Sequence, residues 1–439
     1  MIVQIALAVG LATLPQQDTL RLSLEDAVRR ARDENPALLA QRATARAQAQ
    51  APLEASRAFL PNVQLGVSGM RTTDPVAAFG LKLRQENFAA QDLALDALNR
   101  PSAYSGFAVT GTVEVPLLVP EGLFGYRAAR KGAEAGALAA DRAAGATEYL
   151  VTQAYWDAQL AAASLEALDE ALAATNAHAA QAEAMREQGL VTGLDARLAR
   201  LGAADIETRR LAAGAMSENA RSALRAMLAV PEDVPLVLTD SLSDAPASAC
   251  ADDVESCDPS ERADVRARRV GVEAASLGVK RAWSGNLPTI AAFGSLARYG
   301  QSSPWSDGSG DWTVGVGLSW SPFRALSGVG AVRKARAERD EAAARLDEAE
   351  RAAGLEALSA QRMLTAAEQR VGVASDAWQE AQAALEQARL RYRTGTSPIS
   401  ELLDVQAATT AARISLMSAQ RDHAVAGAAL DFAFGAFDR

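Results

Sequence analysis

Two periodicities organise this chain. The first is an alternation of apolar and polar residues with a period of two. Val63, Leu65 and Val67 alternate with Gln64, Gly66 and Ser68. Further on, Phe107, Val109, Val113 and Val115 alternate with Ala108, Thr110, Thr112 and Glu114. The clearest run sets Trp312, Val314, Val316, Leu318 and Trp320 against Thr313, Gly315, Gly317 and Ser319. Successive side chains of a strand point to opposite faces, so this period predicts strands. Each run is about 9–11 residues, the length of a tilted strand that crosses a membrane. Tryptophan at both ends of the last run suits interfacial girdles. A fourth strand, Ile290 to Tyr299, alternates poorly.

The second periodicity is a heptad. From Ala357 to Tyr392 one seam position holds Ala357, Leu364, Val371, Trp378, Leu385 and Tyr392. Its partner position holds Ala360, Ala367, Ala374, Ala381 and Ala388. A sustained repeat of about 3.5 residues predicts left-handed supercoiling, and the alanines permit close helix approach. A register 206 residues earlier gives Val151, Ala158, Leu165, Leu172 and Ala179 with Ala154, Ala161, Leu168, Thr175 and Ala182. The two long helices are expected from Gly125 to Gln188 and from Ala331 to Thr394. Each would be on the order of 100 Å long. Shorter helices are expected near 24–59, 196–229, 261–283 and 401–434.

The shared offset shows that the chain is written twice. Gly189-Leu-Val-Thr-Gly-Leu-Asp195 and Gly395-Thr-Ser-Pro-Ile-Ser-Glu401 lie 206 residues apart, as do Pro116 and Pro322, and Arg127 and Arg333. Pro61 and Pro288 lie 227 apart, which places 21 extra residues in the first copy's hairpin. The expected organisation is a signal peptide at 1–16, a first repeat at 17–230, a linker at 231–261 and a second repeat at 262–439. The hairpins fall near 62–116 and 289–321, and the helix-helix turns near 189–195 and 395–401. Four strands do not close a barrel, and open edges are not tolerated in lipid. Several chains must therefore contribute strands, and the pattern does not choose three over two or four. Soluble hairpins packed on helices would alternate in the same way, but two hairpins at equivalent places in a repeat favour the membrane.

Composition narrows the function. Hydrophobic residues make up 49% of the chain but aromatics only 5%, which suits helices packed closely side by side. The net charge of -10 argues against nucleic acid, which needs clustered Lys and Arg. Cys250 and Cys257 lack partners at zinc spacing, so no metal site is expected. They suit one disulfide in an oxidising compartment, with two free thiols as the alternative. The apolar run from Met1 to Pro15 is too short to span a bilayer and resembles a secretory h-region without its basic n-region. His178 and His423 belong to no ligand or nucleophile constellation and are expected at solvated helix positions. Gly328-Val-Gly-Ala-Val-Arg333 lacks the third glycine of a dinucleotide loop and is expected to be a strand-to-helix turn. No catalytic motif is present, so neither an enzyme nor a cofactor is expected.

The repeated helix-hairpin-helix plan resembles the TolC-type outer-membrane efflux protein family over nearly the whole chain. The most specific segments are the two turns, Gly189 to Asp195 and Tyr392-Arg-Thr-Gly395-Thr-Ser-Pro-Ile-Ser-Glu401-Leu-Leu-Asp404. The opening Leu22-Ser-Leu-Glu-Asp-Ala-Val-Arg-Arg-Ala31 with Asn35-Pro36 is also similar to family N-termini. The resemblance implies a mixed α/β membrane protein, a homotrimer in outer-membrane lipid. Its β-hairpins would form a twelve-stranded β-barrel and its helices an α-barrel tunnel in the periplasm. A periplasmic adaptor and an inner-membrane pump would dock at the tip. By the same resemblance, Glu401 and Asp404 would ring the pore gate, and Tyr392 would contact Asp195 to hold it shut. Ser397 stands where the family has a basic partner. Gly189, Leu190, Thr192, Gly395, Thr396 and Ser397 are the expected adaptor contacts. Residues 72–104 fall where the first hairpin should loop outside the cell. The alternative reading is a non-transport periplasmic coiled-coil scaffold.

Overall fold

The structure is a computed structural model that describes residues 19–251, 257–306, 308–321 and 325–438. The expected signal peptide, residues 1–16, lies outside the described residues. In chain order the elements are β1 (Leu20–Leu22), α1 (Leu24–Glu34), α2 (Pro36–Gln48), α3 (Ala51–Ser56), β2 (Asn62–Thr72), α4 (Pro75–Arg84), α5 (Leu95–Asn99) and β3 (Tyr104–Leu118). There follow α6 (Pro120–Glu187), α7 (Gly193–Met227), β4 (Leu236–Leu238), α8 (Ala263–Ser284), β5 (Thr289–Gly300), β6 (Gly310–Ser319), α9 (Ala325–Arg393) and α10 (Ile399–Ala433). The chain divides into two compact units. The first holds residues 1–44, 138–266 and 348–439, and the second holds 45–137 and 267–347.

The first unit is built of helices. The heptad seams turn inward as expected. Ala357, Ala360, Leu364, Ala367, Leu385, Ala388 and Tyr392 are buried, and Val371, Ala374, Trp378 and Ala381 are half-buried. In α6, Val151, Ala154 and Ala158 pack with Leu22, Ala27, Ala31, Leu224 and Leu228. Alanine at these positions lets helices approach closely, with little side-chain entropy lost on packing.

The region expected to be one helix from 24 to 59 is three. Asn35 ends α1, because Pro36 cannot extend the ladder. Its side chain accepts from the Leu38 amide at 3.0 Å and donates to the Met227 carbonyl at 2.9 Å. The 231–261 stretch is not a bare linker. Its β4 pairs in parallel with β1, Leu20 opposite Leu236 and Leu22 opposite Leu238. Tyr155, fully buried in α6, ties the pair down. Its hydroxyl donates to the Leu22 carbonyl at 3.1 Å and accepts from the Asp240 amide at 3.2 Å. Cys250 and Cys257 form a disulfide, with Cα atoms 6.1 Å apart. Cys250 packs with Ala357, Leu364 and Leu430.

The second unit centres on one antiparallel sheet of order β2-β3-β5-β6, so the two hairpins join through β3 and β5. Its register places the alternating valine, leucine and tryptophan positions of the strands on one face. Val63 lies opposite Val113 and Val67 opposite Val109. Val113 meets Gly294. Ile290 meets Leu318, Gly294 meets Val314 and Leu296 meets Trp312. The strand that alternates poorly in sequence therefore conforms. Its other face carries Phe293, whose ring fills the space a side chain at Gly315 would need. The apolar face is bare: Leu65 is 85% exposed, Trp312 71% and Val314 70%. The opposite face carries Gln64, Thr110, Thr112, Ser295 and Thr313. The outer edges of β2 and β6 pair with no other strand among the described residues.

The extra residues of the first hairpin fold at the loop end of this sheet. Helix α4 leads to Gln85, buried, whose amide donates to the Gly300 carbonyl at 3.1 Å and accepts from the Tyr104 hydroxyl at 2.8 Å. One side chain thus bridges both hairpins. A Cβ at Gly106 would lie 2.6 Å from the Gln85 amide and 2.8 Å from Leu81, so glycine permits this seat. Gly106 shares its face with Thr110 and Thr112, so α4 sits over the polar side. At the other end of the strands, Gly328 to Arg333 is not a strand-to-helix turn. It lies within the first turns of α9. No helix among the described residues is long and apolar enough to cross a membrane.

Candidate functional site

The candidate site is the pair of helix-helix turns in the first unit. Both end a long helix in the same way. Gly189 (φ 75°) and Gly395 (φ 72°) adopt the left-handed conformation that glycine takes without steric cost. Leu190 N donates to the Met185 carbonyl at 2.9 Å, and Thr396 N to the Arg391 carbonyl at 2.9 Å, closing the two turns identically. The following helices start differently. Thr192 caps α7 with a reciprocal box. Its amide donates to the Asp195 carboxylate at 2.9 Å, and the Asp195 amide donates to the Thr192 hydroxyl at 3.2 Å. Pro398 precedes α10 with no side-chain cap.

A shared apolar core holds the turns: Ala182, Ala199, Leu385, Ala388, Tyr392, Ile399 and Leu402. Around it stand the expected gate residues. Glu401 and Asp404 lie one turn apart on α10, the first half-buried and the second exposed. Asp404 has no hydrogen-bond or ion-pair partner among the described residues. Tyr392 and Asp195 come close, but no hydrogen bond joins them. The Tyr392 hydroxyl is buried without a partner among the described residues, and the Asp195 carboxylate is engaged by its own helix start. Burial pushes the Tyr392 pKa up, and the Asp195 charge adds to it. Ser397 donates to its neighbour Pro398 rather than across the turn. Gly189, Leu190, Thr192, Gly395 and Thr396 are exposed and Ser397 is half-buried. Leu190 and Leu194 leave 66% and 64% of their surface open, an apolar patch at the first turn.

Two residues depart from the sequence expectation. Arg391, in the last turn of α9, pairs with Glu401 at 2.5 Å. No period or motif in the sequence marks it, because the pairing depends on how the chain doubles back at the turn. His178 is not at a solvated position. It is half-buried, and its Nε2 has no hydrogen-bond partner. Burial pushes its pKa down, Arg389 pushes it further, and Gln406 partly offsets both. His423 stands 4.0 Å from Glu368 and is partly exposed. No cluster of ligating side chains that could hold a metal occurs among the described residues.

Comparison with known proteins places this fold among membrane channels of known structure. Residues 260–436 match the family model described as outer membrane efflux protein. Solved channel and outer-membrane proteins share the fold over almost the whole chain. CusC superposes with a TM-score of 0.80 at 17% identity, over 94% of this chain and 92% of that one. CmeC of Campylobacter jejuni gives 0.78 at 18%, over 94% and 85%. VceC of Vibrio cholerae gives 0.76 at 18%, over 94% and 96%. No curated protein sequence matches. The family match covers the second half of the chain, and the likeness to the solved structures is one of fold.

Proposed function

We propose that the chain is one subunit of a homotrimeric export duct, serving a tripartite efflux or type I secretion system. The observation that carries this reading is the four-stranded sheet with one exposed apolar face and two unpaired edges. In lipid, every backbone polar group must find a partner within the protein. Strand β6 of one chain would pair with β2 of the next, and three chains would close a twelve-stranded barrel. The apolar face would meet lipid and the polar face would line the lumen.

The helices of the first unit would form a tunnel in the periplasm. At its tip, Glu401 and Asp404 of three chains would gather around the axis. Crowded carboxylates repel anions and attract cations. Tyr392, held near Asp195, would keep the two helix pairs together in the closed tip. A periplasmic adaptor would grip Gly189, Leu190, Thr192, Gly395, Thr396 and Ser397, with exposed Leu190 and Leu194 giving it apolar purchase. The inner-membrane pump would supply the energy, and cargo would pass without chemistry.

The test is extraction and mass. Membranes carrying the protein should release it only with detergent, and native mass spectrometry should find three times the mass of the denatured single chain. A monodisperse monomer released without detergent would refute the duct.

A further inference from the structure

The proposed gate counts two carboxylates per chain, but the structure sets a cation against one of them. Arg391 lies in the last turn of α9 and Glu401 in the first turn of α10. Their side chains meet at 2.5 Å across the turn. The backbone fixes this meeting. The Arg391 carbonyl accepts from the Thr396 amide at 2.9 Å and from the Thr396 hydroxyl at 3.0 Å, so the turn cannot widen without breaking both bonds. The neighbouring arginine does not compete, because Arg389 reaches Gln406 and Glu386 instead. Asp195 is engaged by the start of α7, and Asp404 has no partner among the described residues.

We propose that Arg391 is a built-in counter-ion of the gate, so that each chain brings one uncompensated negative charge to the constriction rather than two. The inference rests on the duct reading above. An exposed ion pair contributes little to stability. Its effect here is on the field, because a guanidinium fixed beside Glu401 is well inside the screening length of about 8 Å at physiological salt. A passing ion therefore meets three surplus carboxylates from three chains instead of six. Selectivity follows the summed charge lining a narrow pore. Arg391 thus sets how strongly the closed or partly open tip prefers cations, and Asp404 carries what preference remains.

The experiment uses the full chain as a detergent-purified complex in planar bilayers. The potassium-over-chloride permeability ratio is read from the reversal potential in a salt gradient. Arg391→Gln keeps the main-chain bonds of the turn and should raise the ratio by about twofold or more. Glu401→Gln alone should lower it. The double variant Arg391→Gln with Glu401→Gln should return to the ratio of the unsubstituted chain, since it removes one charge of each sign. An unchanged ratio in Arg391→Gln overturns the counter-ion, as does a double variant that matches Glu401→Gln alone. Asp404→Asn separates the two readings. If Asp404→Asn and Glu401→Gln both leave the ratio unchanged, the acidic gate itself is wrong. If they lower it while Arg391→Gln does nothing, only the counter-ion is wrong. Native mass of each variant reports that the complex is intact.

Discussion

At the scale of the residue, the two turns depend on glycine for their backbone. Gly189 and Gly395 both have φ above 70° and nothing near the position of a Cβ. The cost of a side chain there is conformational rather than steric crowding by neighbours. Gly395→Ala should destabilise the tip by about 1–2 kcal/mol and lower the thermal midpoint of the detergent-solubilised protein followed by circular dichroism. Ala at Gly354, a helical position with open space around it, should not lower it. An equal fall at both positions would mean that φ is not the cause. The turn glycines were legible in the sequence, since glycine closing a long heptad run marks a helix end. Arg391 was not, because its partner is chosen by how the chain doubles back. Nor was the burial of His178, which depends on Arg389 and Gln406 from the second repeat.

At the scale of the element, the long helices and three of the four strands were legible because their periods run for many residues. The short pieces were not. Strands β1 and β4 have three residues each, too few for any period, and they exist because Tyr155 and the core around it hold them. The fourth strand was obscured by Phe293, which occupies the polar face by filling the space over Gly315. Tyr155 yields a test of the β1–β4 joint. Burial pushes its pKa from 10.0 up to about 12. The folded state therefore holds the proton more tightly than the unfolded chain. Its contribution is complete below about pH 10 and is lost as the pH rises from there towards 12. Between pH 9 and 11.5 the unsubstituted protein should lose on the order of 2 kcal/mol more stability than Tyr155→Phe, measured by denaturant titration at each pH. Parallel losses in the two proteins would remove Tyr155 from the joint.

At the scale of the whole molecule, the register of the sheet makes adjacent residues unequal. Val314 lies on the exposed apolar face, and Thr313, its neighbour, on the polar face with Ser295 opposite. In a barrel, Val314→Arg would set a charge against lipid, at a cost of about 2–4 kcal/mol near the bilayer midplane. Thr313→Arg would only add a charge to a wet lumen. The first should reduce the amount of intact complex recovered from outer-membrane fractions, and the second should not. Equal recovery of the two would contradict the assignment of faces.

The unlike edges of the sheet, β2 on one side and β6 on the other, have a last consequence. A chain offers a front and a back that differ, so two copies cannot satisfy each other by facing. Joined front to back without closing, any row of chains would carry one raw rim at each end. Only closure into a circle would leave none, so in such a ring the last subunit to arrive would be the one that stabilises all the others.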